Sequence, residues 1–393
     1  MIFTSVPLAR GELISHWREM AALAISLLKM TSKCSFTSSK LRFLEHFRLD
    51  LESLAYFAPA TNYDFSADQF SLAPYIHSEW QAAKKLRFEA GLRFDYFEVD
   101  YQDTLSADVA EQQAGGADRF THLRPADQRL NFEHLSPKLG TVYALTPQQT
   151  FYATYRHSFR APATGTLFRS GSTTNTDELN PVKIDSFEIG TRGTWARIQY
   201  DIALYHMMID DDVVSYVDQA SLDRKVTNAG ETEHQGIEVS LAKRLNPEWS
   251  FALSLSYTEQ EYVDFIALQG FPAREVNYGS NDVPRAPKTL SSVSLQYEPL
   301  VLFGSTFELE VNQLGDYYTD EANSQTYGGH TTAQILATYP VNHQLSVYGR
   351  VANLTDKIYS TYTSNQVGDP ELAYRPGEPR AFFVGVNYTL KGQ

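Results

Sequence analysis

From about residue 70 onward the chain alternates between apolar and polar positions. Leu86, Phe88, Ala90, Leu92, Phe94 and Tyr96 interleave with Arg87, Glu89, Gly91, Arg93 and Asp95. Ile198, Tyr200, Ile202 and Leu204 do the same with Arg197, Gln199, Asp201 and Ala203, and Phe307, Leu309 and Val311 with Glu308, Glu310 and Asn312. A period of two marks strands with two unlike faces. Matching that template predicts about thirteen strands. They fall at 71–80, 85–97, 134–145, 149–159, 184–193, 196–217, 233–244, 249–262, 287–298, 303–318, 329–340, 344–354 and 380–390. Residues 1–61 differ: Leu23, Leu27 and Leu28, then Leu41, Leu44, Phe47, Leu51 and Leu54, cluster as on a helix. The expectation there is a short helical or irregular segment, atypical of the rest, ahead of a β-domain over 62–393.

The connections fall into two alternating sets. Short turns are predicted near 81–84, 146–148, 193–195, 245–248, 299–302 and 341–343, and long polar connections at 98–133, 160–183, 218–232, 263–286, 319–328 and 355–379. Tight turns at one end and long loops at the other are the pattern of an antiparallel transmembrane β-barrel. A soluble β-sandwich does not require that alternation, and its strands typically run about five or six residues. Trp80, Trp195, Trp249, Tyr297 and Tyr339 stand where short turns meet strands. Amphipathic rings belong there if the turns lie at a membrane–water interface, so these five are the predicted interface aromatics, with outer-membrane lipid as their partner.

Composition removes several other classes. The chain has 393 residues, with 33 Lys+Arg against 47 Asp+Glu and a net charge of −14, which disfavours nucleic acid as a partner. The single cysteine, Cys34, excludes a disulfide framework and a Cys-rich zinc site. The longest strongly apolar stretch, Met20–Leu28, is about half the roughly 20 residues a membrane-spanning helix needs. No G-x-S-x-G, P-loop or H-E-x-x-H pattern occurs, so no catalytic residue, metal ligand or covalent cofactor is assigned and the protein is not read as an enzyme. Asp210-Asp-Asp212 offers oxygen ligands but lacks the ordered spacing of a calcium loop.

Several short motifs follow one another in a set order. They are Ser71–Trp80 with Ala90-Gly-Leu-Arg-Phe-Asp95, Leu135-Ser-Pro-Lys-Leu-Gly140, Tyr155-Arg-His-Ser-Phe-Arg-Ala-Pro162, and Leu179-Asn-Pro with Ser186-Phe-Glu-Ile-Gly190. Asn228-Ala-Gly-Glu with His234-Gln-Gly-Ile-Glu238, Val283-Pro-Arg-Ala-Pro-Lys288, Val351-Ala-Asn-Leu-Thr-Asp-Lys357 and Tyr374-Arg-Pro-Gly377 continue the series. In this order over about 320 residues they resemble the C-terminal barrel of TonB-dependent outer-membrane receptors of the ferric-siderophore type.

The resemblance implies a bacterial outer-membrane location, a ferric siderophore as transported ligand and the TonB energy-coupling complex as partner. Family members close a 22-stranded barrel around a plug. Residues 1–61 show neither a plug nor a TonB box, so the expectation is a partial barrel, with 1–61 arising from a miscalled start or a frameshift. Rival readings are a passive porin-like pore, a non-functional receptor remnant, and an adhesin or phage-docking surface. A ferric chelate is bulky and often anionic, so arginine and aromatic side chains on the long connections are its expected contacts. Arg160 and Arg169 lie near Phe159 and Phe168 on one connection, and Tyr216, Phe271, Tyr278, Tyr327 and Tyr374 lie on or beside others, as do Tyr318 and Tyr362.

Overall fold

A computed structural model describes residues 30–49, 60–104, 109–113, 119–123, 125–168, 178–217, 224–269, 274–302, 304–365 and 372–389. Fourteen strands form one antiparallel sheet in which every strand pairs with its neighbours in the series. They are β1 (Met30–Leu49), β2 (Ala60–Ala83), β3 (Leu86–Asp103), β4 (Gln128–Thr146), β5 (Gln149–Arg160), β6 (Val182–Trp195) and β7 (Ile198–Asp210). The series continues with β8 (Glu231–Arg244), β9 (Trp249–Asp264), β10 (Thr289–Tyr297), β11 (Thr306–Leu314), β12 (His330–Pro340), β13 (Leu345–Ala352) and β14 (Ala381–Tyr388). Among the described residues β14 and β1 do not pair, so the sheet is an open meander.

The count exceeds the sequence expectation by β1, which lies inside the segment expected to be helical or irregular. In it Leu41, Phe43, Phe47 and Leu49 do alternate with Lys40, Arg42, His46 and Arg48, but Leu44-Glu45 breaks the pattern and imitates a helical spacing. Pairing with β2, from Met30 opposite Trp80 to Leu49 opposite Ala60, settles the segment as a strand. The sheet therefore begins well before residue 62.

The two faces are as unlike as the alternation requires. Phe88, Leu92, Phe94, Leu135, Leu139, Phe151, Phe187, Ile189 and Leu204 are large, apolar and exposed. The opposite face carries ion pairs: Lys138 meets Glu89 at 2.9 Å and Arg93 meets Asp95 at 2.6 Å. A bare apolar face is costly in water and suited to lipid, and the polar face then lines the lumen side.

At the short-turn end the turns are locally encoded. Asn246 Oδ1 accepts hydrogen bonds from the N–H groups of Glu248 and Trp249, and Asn342 Oδ1 does the same for Gln344 and Leu345. Both are Asx turns, which an asparagine side chain closes by mimicking backbone. Ala196 and Arg197 both take positive φ, 49° and 65°, as a two-residue type I′ hairpin demands.

At the other end the long connections fold into hairpins of their own. Val213–Val217 pairs with Arg224–Asn228, Ile266–Gln269 with Arg274–Asn277, and Ser360–Asn365 with Leu372–Pro376. The strand expected to run through 196–217 is thus two, broken where Asp211 takes φ 58°.

Candidate functional site

The long-connection end is where irregular backbone, exposed arginine and tyrosine converge. Asparagines from the sequence motifs hold it together. Asn228 Nδ2 donates to the carbonyls of Asn180 and Asp211, while its Oδ1 accepts from Asn180 N–H at 2.9 Å. Buried Asn353, at φ 44°, donates through Nδ2 to Lys357 O and Glu378 O and accepts from Lys357 N–H. Each asparagine satisfies loop backbone that no ladder reaches. Two carboxylates of the acidic run are charge-paired: Asp212 faces Arg160 at 3.3 Å and Asp211 faces Lys183 at 3.5 Å.

The predicted ligand contacts separate into three groups. Phe168 is 1% exposed, and its ring stacks on Tyr101 at 4.3 Å. It ends a one-turn helix, α1 (Thr164–Leu167), that packs Leu167 and Phe168 against Phe65, Val99 and Tyr101. Tyr278 is 7% exposed and packs on Phe265. Both were expected to face ligand, and both instead form the loops' own cores, because each ring finds an aromatic partner there. Arg169, Phe271 and the side chain of Tyr216 lie outside the described residues.

Arg160, Tyr327 and Tyr374 remain accessible in part. Arg160 is exposed but tied to Asp212. Tyr327 accepts from Ser360 N–H at 3.1 Å and pairs with His330 Nδ1 at 3.0 Å, while its ring lies 6.5 Å from that of Tyr374. Tyr374 is 58% exposed. The structure therefore joins the last two, and leaves Arg160 with a different set of connections.

One group was quoted only as motif or loop residue. Arg285, at φ 61°, donates its backbone N–H to Tyr318 O at 2.7 Å. Its guanidinium sits 5.7 Å from the Tyr362 ring centroid and donates Nη1–H to the Tyr362 hydroxyl at 3.2 Å. Tyr362 is 47% exposed and lies directly opposite Arg375 in its hairpin. The sequence signals were the arginine of Val283-Pro-Arg-Ala-Pro-Lys288 and the loop tyrosines Tyr318 and Tyr362; that Arg285 spans to residue 362 is a tertiary fact. Nearby, the Asp282 carboxylate, 3.0 Å from Lys288, holds that ammonium above its ordinary pKa.

Among the described residues one group could hold a metal ion: His77, Glu79 and Glu89, with ligand atoms within 4.8 Å of one another on the polar face. Glu79 and Glu89 are directly opposed across β2 and β3. Lys138 on Glu89 and Arg87 on Glu79 offset that like-charge pair, so the cluster is already neutralised by side chains. At the short-turn end Trp249 stacks on Tyr297 at 4.6 Å and Trp80 on Phe88 at 5.8 Å, and Trp195 and Tyr339 are exposed beside their turns.

A long antiparallel meander with one lipid-compatible face, tight turns at one end and structured connections at the other defines an outer-membrane β-barrel chain. Residues 37–354 match the family described as TonB dependent receptor-like, beta-barrel, and the chain belongs to that family. The protein is accordingly an outer-membrane protein of the Gram-negative type. It is 24% identical over 344 residues to the catecholate siderophore receptor Fiu of Escherichia coli K12, covering 83% of this chain and 42% of the relative. It is 22% identical over 321 residues to the probable TonB-dependent siderophore receptor PiuA of Acinetobacter baumannii, covering 78% of this chain and 40% of that one. Among solved structures, the ferric yersiniabactin uptake receptor FyuA of Yersinia pestis aligns with a TM-score of 0.66 at 18% identity, over 91% of this chain and 50% of that chain. The chain thus spans about half the length, or less, of the proteins it matches.

Proposed function

We propose that the protein is the barrel portion of an outer-membrane receptor for ferric-siderophore uptake. The observation that carries this reading is the family match over 37–354 on a sheet whose long-connection end presents arginine and tyrosine to the outside. The names of two relatives, a catecholate siderophore receptor and a probable siderophore receptor, support the choice of ligand. Transport rather than catalysis is the activity, and a ferric siderophore is cargo rather than cofactor. Energy would come from the TonB complex, acting through parts of the receptor that precede this barrel. In this reading Trp80, Trp195, Trp249, Tyr297 and Tyr339 set the depth of the short-turn end in the lipid. Arg160, Tyr327 and Tyr374 stay as candidate ligand contacts.

The test is uptake of radiolabelled iron in a strain lacking its own siderophore receptors. The chain is expressed alone and with an upstream plug-bearing segment supplied on a second gene. Saturable, TonB-dependent uptake of a ferric catecholate in the second arm is expected. Uptake that is linear in chelate and indifferent to TonB in both arms would replace the receptor reading with a passive pore.

A further inference from the structure

We propose that Lys243 and Arg197, set between Trp195 and Trp249, form a seat for the phosphate of an anionic phospholipid at the short-turn rim of the sheet. Short turns of such barrels face the periplasm, so the seat lies at the inner leaflet of the outer membrane, which is built of phospholipid. It is independent of the transported cargo and needs only that the apolar face meets lipid.

The protein as a whole is acidic, with a net charge of −14, but its short-turn end is the reverse. Across 81–85, 146–148, 193–197, 243–248, 298–302 and 341–344 the lysines and arginines are Lys84, Lys85, Arg197, Lys243 and Arg244. The carboxylates there are Glu248 and Glu298, and both are engaged. Glu298 faces Arg244 at 3.3 Å, and Glu248 Oε1 accepts from Leu300 N–H at 3.0 Å. Lys85 donates to Leu145 O at 2.8 Å. Lys243 and Arg197 have no ion pair among the described residues. Two cations are thus left over at the level where headgroups lie.

Lys243 stands on the lipid side of β8. Its ladder partners are Ile198 on β7 and Phe251 on β9, and residues paired across a ladder share a face. Alternation puts Ile237, Val239 and Leu241 before it on that face, so an apolar row ends there in an ammonium. On one flank Ile198 pairs with Trp195, which is 68% exposed. On the other, two residues before Phe251, Trp249 stacks on Tyr297. Arg197, exposed, occupies the turn next to Ile198. An ammonium on the lipid face is tolerated when its stem lies along apolar neighbours and its head reaches the interface. There it meets phosphate, and indole N–H groups at the same level donate to phosphate or ester oxygens. Two unpaired cations favour a headgroup of net negative charge over a zwitterionic one, whose own ammonium they repel.

Trp195 and Trp249 also supply the readout. The full chain is reconstituted in bilayers of dibrominated phosphatidylcholine containing a rising share of unbrominated phosphatidylglycerol. Relief of tryptophan quenching then gives the relative affinity for the two lipids. Wild type is expected to prefer phosphatidylglycerol about tenfold or more, and K243L and R197G each to lose about fivefold, the scale of one basic residue near an anionic surface. Folding is spared in both: leucine extends the apolar row, and glycine suits the φ of 65° at position 197. K243R keeps the charge and stays within about twofold of wild type. K84Q/K85Q, which removes as much charge from another turn, leaves the preference intact. An equal loss in K84Q/K85Q would reveal a diffuse field rather than a seat and overturn the proposal, as would a wild-type chain that holds both lipids alike. Either result leaves the receptor reading as it stands.

Discussion

Replacing Phe168 with alanine separates two roles that an aromatic residue on an outer connection can have. The ring is 1% exposed and lies 4.3 Å from the Tyr101 ring at an interplanar angle of 11°. Truncating a buried Phe to Ala costs about 3–5 kcal/mol, of which a stacked pair accounts for about 0.5–1.5. The helix it closes is a single turn with no side-chain cap and cannot persist by itself. It is held by Leu167, Phe168 and a hydrogen bond from Gln69 to Thr164. Loss of about 3–5 kcal/mol, at roughly 1.4 kcal/mol per factor of ten, opens the segment between about a hundredfold and a few thousandfold more often. Hydrogen exchange of the 164–168 amides, followed by mass spectrometry on the full chain in detergent, reads that directly. F168L, which keeps most of the apolar volume, loses much less. Unchanged exchange in F168A together with weakened chelate binding would refute the burial argument and return Phe168 to the ligand.

Three further outcomes follow from the same kind of reasoning. N353A strands two carbonyls and one N–H that Asn353 now satisfies, and loses about 2–4 kcal/mol in urea unfolding, while N353D retains part of it by keeping the acceptor for Lys357. Stability equal to wild type in N353A would mean water replaces the side chain at no cost. G190A sets a Cβ 2.5 Å from the Tyr152 ring and 2.7 Å from Ile202 O, a clash with backbone that costs about 1–3 kcal/mol and shows as a lower melting temperature; an unchanged melt contradicts the close approach. Conversely, changing Ala196-Arg197 to Asn-Gly places residues that tolerate positive φ in the β6–β7 turn and raises stability by about 1–2 kcal/mol, with chelate binding untouched; a destabilised double variant would argue against the type I′ turn.

The period-two pattern carried most of the sheet because each strand has to serve two unlike surroundings. The expected 149–159 is Gln149–Arg160, 233–244 is Glu231–Arg244, and 329–340 is His330–Pro340. Alternation is a local property, so it needs no knowledge of the partner strand. The short turns were legible for the same reason, since Asn246 and Asn342 close them with their own side chains. Where a strand's identity depends on its neighbour, the pattern misled. Met30–Leu49 reads as helical clusters until Ala60–Ala83 lies beside it and its backbone groups enter a ladder.

The long-connection end was legible only as a region. Long polar connections with arginines and tyrosines predict where a ligand arrives, but not which rings face it. Phe168 and Tyr278 turn inward because Tyr101 and Phe265 wait for them, from segments far away in the chain for the first and close by for the second. Tyr362 stays half exposed because its partner is a charged guanidinium that prefers the wet side. The amino-acid order by itself therefore determined strands, turns and family, all of them consequences of repeating local chemistry. Tertiary structure decided which aromatic rings are core and which are surface, because burial is a relation between residues distant in sequence, and only the folded chain brings them together.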